Sequence, residues 1–181
     1  RAGAIAPSLI EALRRWDEVQ APLGELYAAL NAGSAPGAFD FDPAACTAPL
    51  PRAPQWLDGS AFLNHGRLME QAFNSPPIPL FDSVPVMYQG ASDDFLGPVD
   101  DVPLPSEADG IDFEGEFGVV TGPVPMGVSP EAALACVRLV VQINDWSLRA
   151  RGPHEMKTGF GFLQAKPSTS FAPMAVTPDE L

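Results

Sequence analysis

The feature that most constrains the fold of this chain is the alternating stretch DGIDFEGEFGVV, residues 109–120. Successive side chains of a β-strand point to opposite faces, so a polarity period of two predicts a strand with one apolar and one acidic face. The apolar face carries Ile111, Phe113, Phe117 and Val119, and the acidic face carries Asp112, Glu114 and Glu116. Either the acidic face is exposed to water, or Glu114 and Glu116 converge on a positively charged group.

The first part of the chain is predicted to be helical. Apolar residues recur at near-helical spacing over residues 8–32, and Ser8 with Glu11 forms the capping-box pattern that begins a helix. Pro22 lies inside this region and is predicted to break or kink it, which favours two short helices over one. Residues 33–54 are rich in proline and turn residues. We interpret them as the linker that ends an N-terminal helical domain, residues 1–54.

Residues 55–181 form the second predicted domain, built from short strands with few helices. Strands are expected in SVPVMYQG, in residues 111–121 and in VRLVVQIND, and helices after Asn64 and at residues 129–136. FGFLQAKPSTSFAP is expected to be strand or loop. The 21 prolines and 16 glycines of the chain favour such short elements over a helix bundle. The sequence therefore predicts an α+β fold.

Charge and composition exclude several classes of partner. The 23 acidic residues outnumber the 10 lysines and arginines, and the net charge of −13 repels nucleic-acid phosphates and anionic lipid. No apolar run of about 18 residues and no signal-peptide pattern are present. The two cysteines, Cys46 and Cys136, are too few for a disulfide framework. We therefore expect a cytoplasmic protein with no nucleic-acid or membrane partner.

Acidic residues on two predicted strands are candidates for a site. Glu114 and Glu116 lie two positions apart on one face, about 6.5–7 Å along the backbone, so their side chains could reach one cation. Asp145 ends the apolar run VRLVVQIND, and a carboxylate at the end of a buried strand is a common site position. The pair Asn144–Asp145 is equally a turn sequence. Both interpretations of Asp145 stay open at this point.

Asp58, His65 and Lys166 extend the candidate set, although each also has a structural interpretation. Asp58 precedes a glycine in a turn pattern, and His65 suits a surface or core position. Lys166 follows apolar residues and either extends to solvent or pairs with a carboxylate. Carboxylate oxygens without a histidine or cysteine cluster suit Mg²⁺, Ca²⁺ or Mn²⁺ better than zinc.

Three motifs in order resemble the fumarylacetoacetate hydrolase family: GIDFEGEFGVVTG, VQINDWSLRA and GFGFLQAKPSTSFAP. MYQGASDDFLGP and LDGSAFLNH fit the same family, and the resemblance covers residues 55–181, with weaker similarity before them. It implies a mixed β-sheet roll or sandwich of the fumarylacetoacetase catalytic-domain type behind a small helical N-terminal part. That fold needs more strands than this sequence supplies, so we expect a piece of a longer protein, cut at both ends.

The resemblance also implies roles for individual residues. The carboxylates that match the family's metal ligands are Asp58, Glu114, Glu116 and Asp145. His65 matches the histidine that activates water, and Tyr88 matches a tyrosine that contacts the substrate. Arg149 and Lys166 match groups that bind the substrate and stabilise its developing negative charge. On this basis the acidic strand face points inward, towards Mg²⁺, Ca²⁺ or Mn²⁺.

The implied activity is hydrolysis of a carbon–carbon bond in a dioxo acid. The first hypothesis is fumarylacetoacetate, cleaved to fumarate and acetoacetate in aromatic amino-acid degradation. An acylpyruvate hydrolase, an oxaloacetate decarboxylase or a 2-keto-4-pentenoate hydratase-like enzyme are alternatives on the same metal site. A non-catalytic cation-binding homologue is the alternative outside enzymes. The family also implies a homodimer.

The sequence departs from the family pattern after His65. Family members with a mobile lid carry a glutamate three residues after the histidine. This chain has Leu68 at that position, and Glu70 lies five residues after His65.

Overall fold

A computed structural model describes residues 2–181 of the chain. The N-terminal part contains three helices, α1 (Ala2–Ile5), α2 (Leu9–Arg14) and α3 (Trp16–Asn31). The predicted N-cap is confirmed, because the Ser8 hydroxyl accepts a hydrogen bond from the Glu11 N–H at 3.4 Å. The helices pack around the buried side chains of Ala6, Ala12 and Val19.

The predicted break at Pro22 is wrong. The helical region is interrupted at Arg15, which ends α2 and begins α3, whereas Pro22 lies inside α3. Proline removes one helical N–H and therefore leaves the Glu18 carbonyl without its usual partner. Glu18 is exposed, so water can take over this hydrogen bond. The predicted linker contains one short 3₁₀ turn at Pro43–Ala45 among turns and irregular backbone, and its role as a boundary between two domains stays a prediction.

The rest of the chain combines seven short strands with three helices, which confirms the predicted α+β class. The strands are β1 (Leu57–Gly59), β2 (Met87–Gln89), β3 (Ile111–Asp112), β4 (Gly115–Thr121), β5 (Val137–Asn144), β6 (Ser147–Leu148) and β7 (Ser170–Val176). The helices are α4 (Leu63–Phe73), α5 (Pro130–Leu134) and α6 (Gly152–Thr158). The sequence analysis predicted α4 and α5 but missed α6, whose GPHEMKT sequence has proline in the first turn, where a helix tolerates it.

The strands form three small antiparallel groups. β5 is the centre of the largest sheet, between β4 and β7, while β1 pairs with β2 and β3 pairs with β6. The strand predicted over residues 111–121 is therefore divided: β3 and β4 have different partners, with Phe113 and Glu114 between them. The chain therefore changes sheets at Phe113 and Glu114, between Asp112 and Glu116 of the acidic face.

The main core lies on one face of β5. Val141 and Ile143 from this strand are buried with Ala48, Phe95 and Phe171. The rings of Phe95 and Phe171 also contact Trp56, with centroids 5.4 and 5.9 Å from the indole. Burial of three aromatic rings removes a large apolar area from water and stabilises the sheet.

On β4 the apolar side chains face solvent and the acidic side chains face the protein interior, which is the reverse of an ordinary surface strand. Phe117 and Val119 are 77% and 59% exposed, whereas Glu116 is half-buried. Glu116 is opposite Ile143, and Gly118 is opposite Val141, so the acidic face lies on the core side of β5. The interpretation of a water-exposed face is therefore wrong for Glu114 and Glu116, whereas Asp112 is exposed. The inward orientation that the family resemblance implied is confirmed.

Two further expectations concern compartments and membranes. Between residues 2 and 181, no helix combines the length and the apolar character that crossing a bilayer requires. Cys46 and Cys136 are both free thiols rather than partners in a disulfide.

Candidate active site

Three carboxylates from different parts of the chain converge beside β5. One oxygen each from Asp58, Glu116 and Asp145 lies within 4.8 Å of the other two. Asp58 belongs to β1, Glu116 belongs to β4, and Asp145 directly follows β5. The Asp145 N–H donates to the Glu114 carbonyl at 3.0 Å, which fixes the chain at the end of β5 against the start of β4. Backbone pairing therefore sets the spacing of these side chains.

The three carboxylates are withdrawn from solvent, which makes their negative charges unfavourable. Asp145 is 1% exposed and Asp58 is 8% exposed. Burial and the charges of Asp58 and Asp145 raise the pKa of Glu116 to about 7. Burial also raises the pKa of Asp58, although the Ser60 hydroxyl, which donates to Oδ1 at 2.7 Å, opposes the rise. This arrangement attracts positive charge.

Lys166 supplies one positive charge at the edge of this group. Its side chain is 10% exposed, and Nζ lies 2.7 Å from Glu114 Oε2 and 3.0 Å from Asp145 Oδ2. Nζ also donates to the Asp145 carbonyl at 3.2 Å. The interpretation in which Lys166 extends to solvent is wrong, and its pairing with carboxylates is confirmed.

Asp145 is held from both of its oxygens. The buried Thr169 hydroxyl donates to Oδ1 at 2.9 Å. The Tyr88 hydroxyl donates to Oδ2, the oxygen that Lys166 also contacts. Burial and the charge of Asp145 raise the pKa of Tyr88 well above its usual range, so the phenol stays a hydrogen-bond donor. Asp145 is thus a fixed site residue, and the turn interpretation does not explain its contacts.

Glu114, the fourth predicted metal ligand, faces cations. Its two oxygens lie 2.7 Å from Lys166 Nζ and 2.6 Å from Arg149 Nη2, and the Ser147 hydroxyl donates to it at 2.7 Å. Burial acts to raise the pKa of Glu114, but the hydrogen bonds from Lys166 and Ser147 hold it below its usual range. Arg149 also pairs with Asp112 at 2.8 Å. The structure thus brings Arg149 and Lys166 together on Glu114, and a metal contact from Glu114 stays a prediction.

His65 is not part of the carboxylate group. It is exposed on α4, and within the described residues its side chain makes no hydrogen bond or ion pair. Glu70, the acid nearest in sequence to the expected partner position, instead accepts a hydrogen bond from the Ile78 N–H at 3.3 Å. The role of His65 as a base stays a prediction, and Glu70 does not supply its missing partner here.

The sequence analysis missed the hydroxyl groups that hold these carboxylates. The donors and their acceptors are Ser60 with Asp58, Ser147 with Glu114, and Thr169 with Asp145. Ser60 follows Asp58 by two positions, a spacing at which hydroxyls commonly make local hydrogen bonds, and this signal could have identified it. The contacts of Ser147 and Thr169 join distant parts of the chain, and no local pattern reveals them.

The donor set fits a hard divalent cation. Carboxylate oxygens are the ligands that Mg²⁺ and Ca²⁺ prefer, and Asp58, Glu116 and Asp145 present three of them within a small volume. When ionised, the three carboxylates and the ammonium of Lys166 carry a net charge of −2. One dication would neutralise this charge. A cation that lies between neighbouring carboxylates offsets the electrostatic repulsion between them.

Comparisons with known proteins identify the family. The family model "Fumarylacetoacetate (FAA) hydrolase C-terminal" matches residues 55–181, and "Fumarylacetoacetase N-terminal domain 2" matches residues 1–52. The chain therefore belongs to the fumarylacetoacetate hydrolase family, as its motifs indicated. A 2,4-didehydro-3-deoxy-L-rhamnonate hydrolase from Sphingomonas sp. (strain SKA58) is 35% identical over 108 residues, which cover 58% of this chain and 36% of that protein.

Solved structures with a similar fold include a protein described as HpcE from Mycobacterium smegmatis. It superposes with a TM-score of 0.65 at 21% identity, over 94% of this chain and 56% of that one. Cg1458 with an inhibitor gives a TM-score of 0.53 at 18% identity, over 74% of this chain and 47% of the other. At these identities the likeness shows the fold alone. This chain spans about half the length of those structures and about a third of the Sphingomonas relative.

Proposed function

We propose that this protein is a metal-dependent hydrolase that cleaves a carbon–carbon bond in a dioxo acid. The observation that carries this proposal is the convergence of Asp58, Glu116 and Asp145, with oxygens within 4.8 Å of one another. Lys166 lies against the same group, 3.0 Å from Asp145. An acidic cluster with a buried ammonium beside it provides both a cation site and a fixed positive charge for an anionic substrate.

Asp58, Glu116 and Asp145 would hold the cation, and Glu114 is the proposed fourth ligand. A bound dication supplies Lewis-acid polarisation of the substrate's carbonyl oxygens. To act as a ligand, Glu114 has to share the contacts that it makes with Lys166 and Arg149. Those two side chains then have donors free for a substrate carboxylate or enolate oxygen.

The proposed roles of the other residues follow from their donors. The reaction adds water to one carbonyl carbon and breaks its bond to the carbon between the two carbonyls, which leaves as an enolate and is then protonated. Lys166 and Arg149 place positive charge where that enolate forms, and preorganised charge of this kind stabilises a transition state. Tyr88 keeps its proton and offers a donor near Asp145. His65 is the proposed base that deprotonates the water.

The substrate class is proposed from two sources. Family motifs favour fumarylacetoacetate or an acylpyruvate. The name of the Sphingomonas relative describes an acid with carbonyl groups at positions 2 and 4 around a deoxygenated carbon. All three are acids with two carbonyls separated by one carbon, so one reaction type serves them. The decarboxylase, the hydratase and the non-catalytic cation-binding protein are the alternatives that a test has to separate.

A substrate panel tests this proposal. Fumarylacetoacetate, a simple acylpyruvate and a 2,4-dioxo sugar acid are incubated with the full-length protein, and loss of the dioxo absorbance is followed while products are identified by mass spectrometry. Two acid products that sum to substrate plus water support the hydrolase. Release of CO₂ from oxaloacetate, or hydration of a 2-keto-4-pentenoate, with no cleavage of the panel would overturn it. Metal binding without turnover of any of them would establish the non-catalytic alternative.

We propose that the protein forms a homodimer, which sedimentation velocity of the full-length protein tests directly. We also propose that it acts in the cytoplasm, with a small dioxo acid as its partner and without nucleic acid or membrane. Its net charge of −13 supports both exclusions.

A further inference from the structure

The segment that precedes Lys166 is fastened to α6 by one side chain. The Glu155 carboxylate accepts hydrogen bonds from three consecutive backbone N–H groups, those of Leu163, Gln164 and Ala165, at 3.0, 2.8 and 3.0 Å. Burial acts to raise the pKa of Glu155, but these three bonds hold it below its usual range. Hydrogen bonds from N–H groups to a charged acceptor are among the stronger ones in proteins.

Other contacts hold the same segment from different sides. The Leu148 N–H donates to the Ala165 carbonyl at 2.8 Å. Arg151 donates to the side-chain oxygen of Gln164 and pairs with Asp109 at 2.9 Å. Glu155 is nevertheless the only one of these residues that binds all three consecutive amides, so it determines the path of the backbone up to Lys166.

The path of this backbone determines where the Lys166 ammonium lies relative to the carboxylates. Lysine has four rotatable bonds, and the position of its backbone limits where its ammonium can lie. Nζ of Lys166 meets Glu114 and Asp145 at 2.7 and 3.0 Å. Phe162, from the same loop, contacts the Tyr88 ring edge-to-face with centroids 5.0 Å apart. The ammonium thus contacts two proposed metal ligands, and the Phe162 ring contacts Tyr88, a proposed substrate-binding residue.

We propose that Glu155 is a positioning residue, which binds the amides of residues 163–165 and thereby holds the ammonium of Lys166 against Glu114 and Asp145. This role rests on the proposed function, since it concerns the placement of a proposed catalytic group. A displacement of about 1 Å at such a group can lower a rate about 100-fold.

The chain offers an internal control for testing this proposal, because its two lysines are Lys157 and Lys166. Lys157 is exposed in the last turn of α6, whereas the Lys166 side chain is 10% exposed. Pulse acylation of the full-length protein, followed by peptide mass spectrometry, compares the two lysines in wild type, Glu155→Gln and Glu155→Ala. We expect acylation of Lys166 to accelerate at least about 5-fold in both variants, with Lys157 unchanged. Glu155→Gln keeps the size of the side chain but replaces one acceptor oxygen with a donor.

Turnover and amide exchange complete the test. We expect kcat to fall about 10- to 100-fold with a smaller change in KM, and amide exchange to accelerate at residues 163–165. Glu155→Asp should recover part of the loss, and Glu131→Gln, on exposed α5, should match wild type. Unchanged acylation of Lys166 in folded variants would overturn the proposal, as would failure of both variants to fold. Wild type without turnover would refute the proposed function, and the acylation result would then decide the role of Glu155 alone.

Discussion

Glu114 and Glu116 lie two residues apart with both carboxylates turned towards the core, yet their surroundings shift their pKa values in opposite directions. Lys166 and Ser147 lower the pKa of Glu114 against the effect of burial, whereas burial and two neighbouring carboxylates raise the pKa of Glu116 to about 7. Glu114 is therefore a charged partner for cationic side chains, whereas Glu116 belongs to an acidic group whose three carboxylates outnumber the one ammonium beside it, that of Lys166. A pair of acids with separated pKa values is a frequent sign of a functional site.

Glu116→Gln should stabilise the metal-free protein near pH 8. The pKa of Glu116 is about 7 when folded and about 4.5 when unfolded, so the folded state binds the proton more tightly. The wild-type free energy of unfolding therefore falls as pH rises from about 4.5 to about 7 and stays reduced above it. Allowing for solvent screening of a half-buried group, we expect a gain of about 1–2 kcal/mol in the variant.

Urea unfolding in EDTA between pH 5 and pH 8 measures this effect. If Glu116 is a metal ligand as proposed, Mg²⁺ or Ca²⁺ should stabilise wild type and should stabilise the variant much less. Glu25→Gln, which changes an exposed glutamate on α3, is the control and should follow the wild-type pH dependence. A Glu116→Gln protein as unstable as wild type at pH 8 would contradict the electrostatic description of the site.

Thr169→Val should destabilise the protein through Asp145. Valine keeps the shape of threonine but removes the hydroxyl that donates to Asp145 Oδ1 at 2.9 Å in a buried position. A buried acceptor that loses its donor costs about 1–3 kcal/mol, which chemical denaturation would detect. Thr177→Val is the matched control, because the Thr177 hydroxyl makes no hydrogen bond within the described residues. Equal stability of the two variants would show that Thr169 does not hold Asp145.

Lys166→Met should reduce both stability and turnover. Methionine fills a similar volume but leaves the carboxylates of Glu114 and Asp145 without the ammonium that lies within 3.0 Å of both. Breaking a largely buried ion pair from one side costs about 3 kcal/mol or more, and loss of a charge that stabilises an enolate lowers kcat about 100-fold or more. Stability and kcat are compared with Lys157→Met, which should resemble wild type. A variant with normal kcat would exclude Lys166 from the chemistry.

His65→Ala separates catalysis from cation binding. If His65 deprotonates the attacking water, turnover should fall about 100- to 10,000-fold while calorimetry still detects Mg²⁺ binding, since His65 is outside the carboxylate group. His154→Ala is the control, because His154 is the only other histidine of the chain. Retention of wild-type turnover by His65→Ala would assign the base to another residue, and parallel loss of metal binding would indicate a structural role.

The sequence was informative where chemistry and strand pattern coincide. The alternation around Glu114 and Glu116 predicted a strand, and the family motifs correctly turned its acidic face inward. Periodicity alone could not do this, because it gives two faces without saying which one is buried. Phe117 is 77% exposed although its apolar character favours burial. The division of the strand between Phe113 and Gly115 depends on pairing with β6, which is a tertiary effect.

The supporting contacts of the site lay beyond the reach of sequence patterns. Thr169 and Glu155 act through hydrogen bonds to Asp145 and to residues 163–165, and each of these contacts depends on how loops fold back on the sheet. The misplaced helix break has a different reason. Pro22 predicts a break from backbone chemistry, but an exposed helix face tolerates one missing hydrogen bond, and Arg15 takes the non-helical conformation instead.

We propose that Asp58, Glu116 and Asp145 hold a dication on which cleavage of a dioxo acid depends. The most direct measurement is the initial rate of dioxo-acid cleavage by EDTA-stripped, full-length protein as Mg²⁺ or Ca²⁺ is added, beside the same titration of Glu116→Gln. We predict no turnover without the cation, a saturable rise in wild type, and a response in Glu116→Gln that is absent or shifted to far higher concentration. Full turnover in EDTA, or equal activation of the two proteins, would contradict the claim.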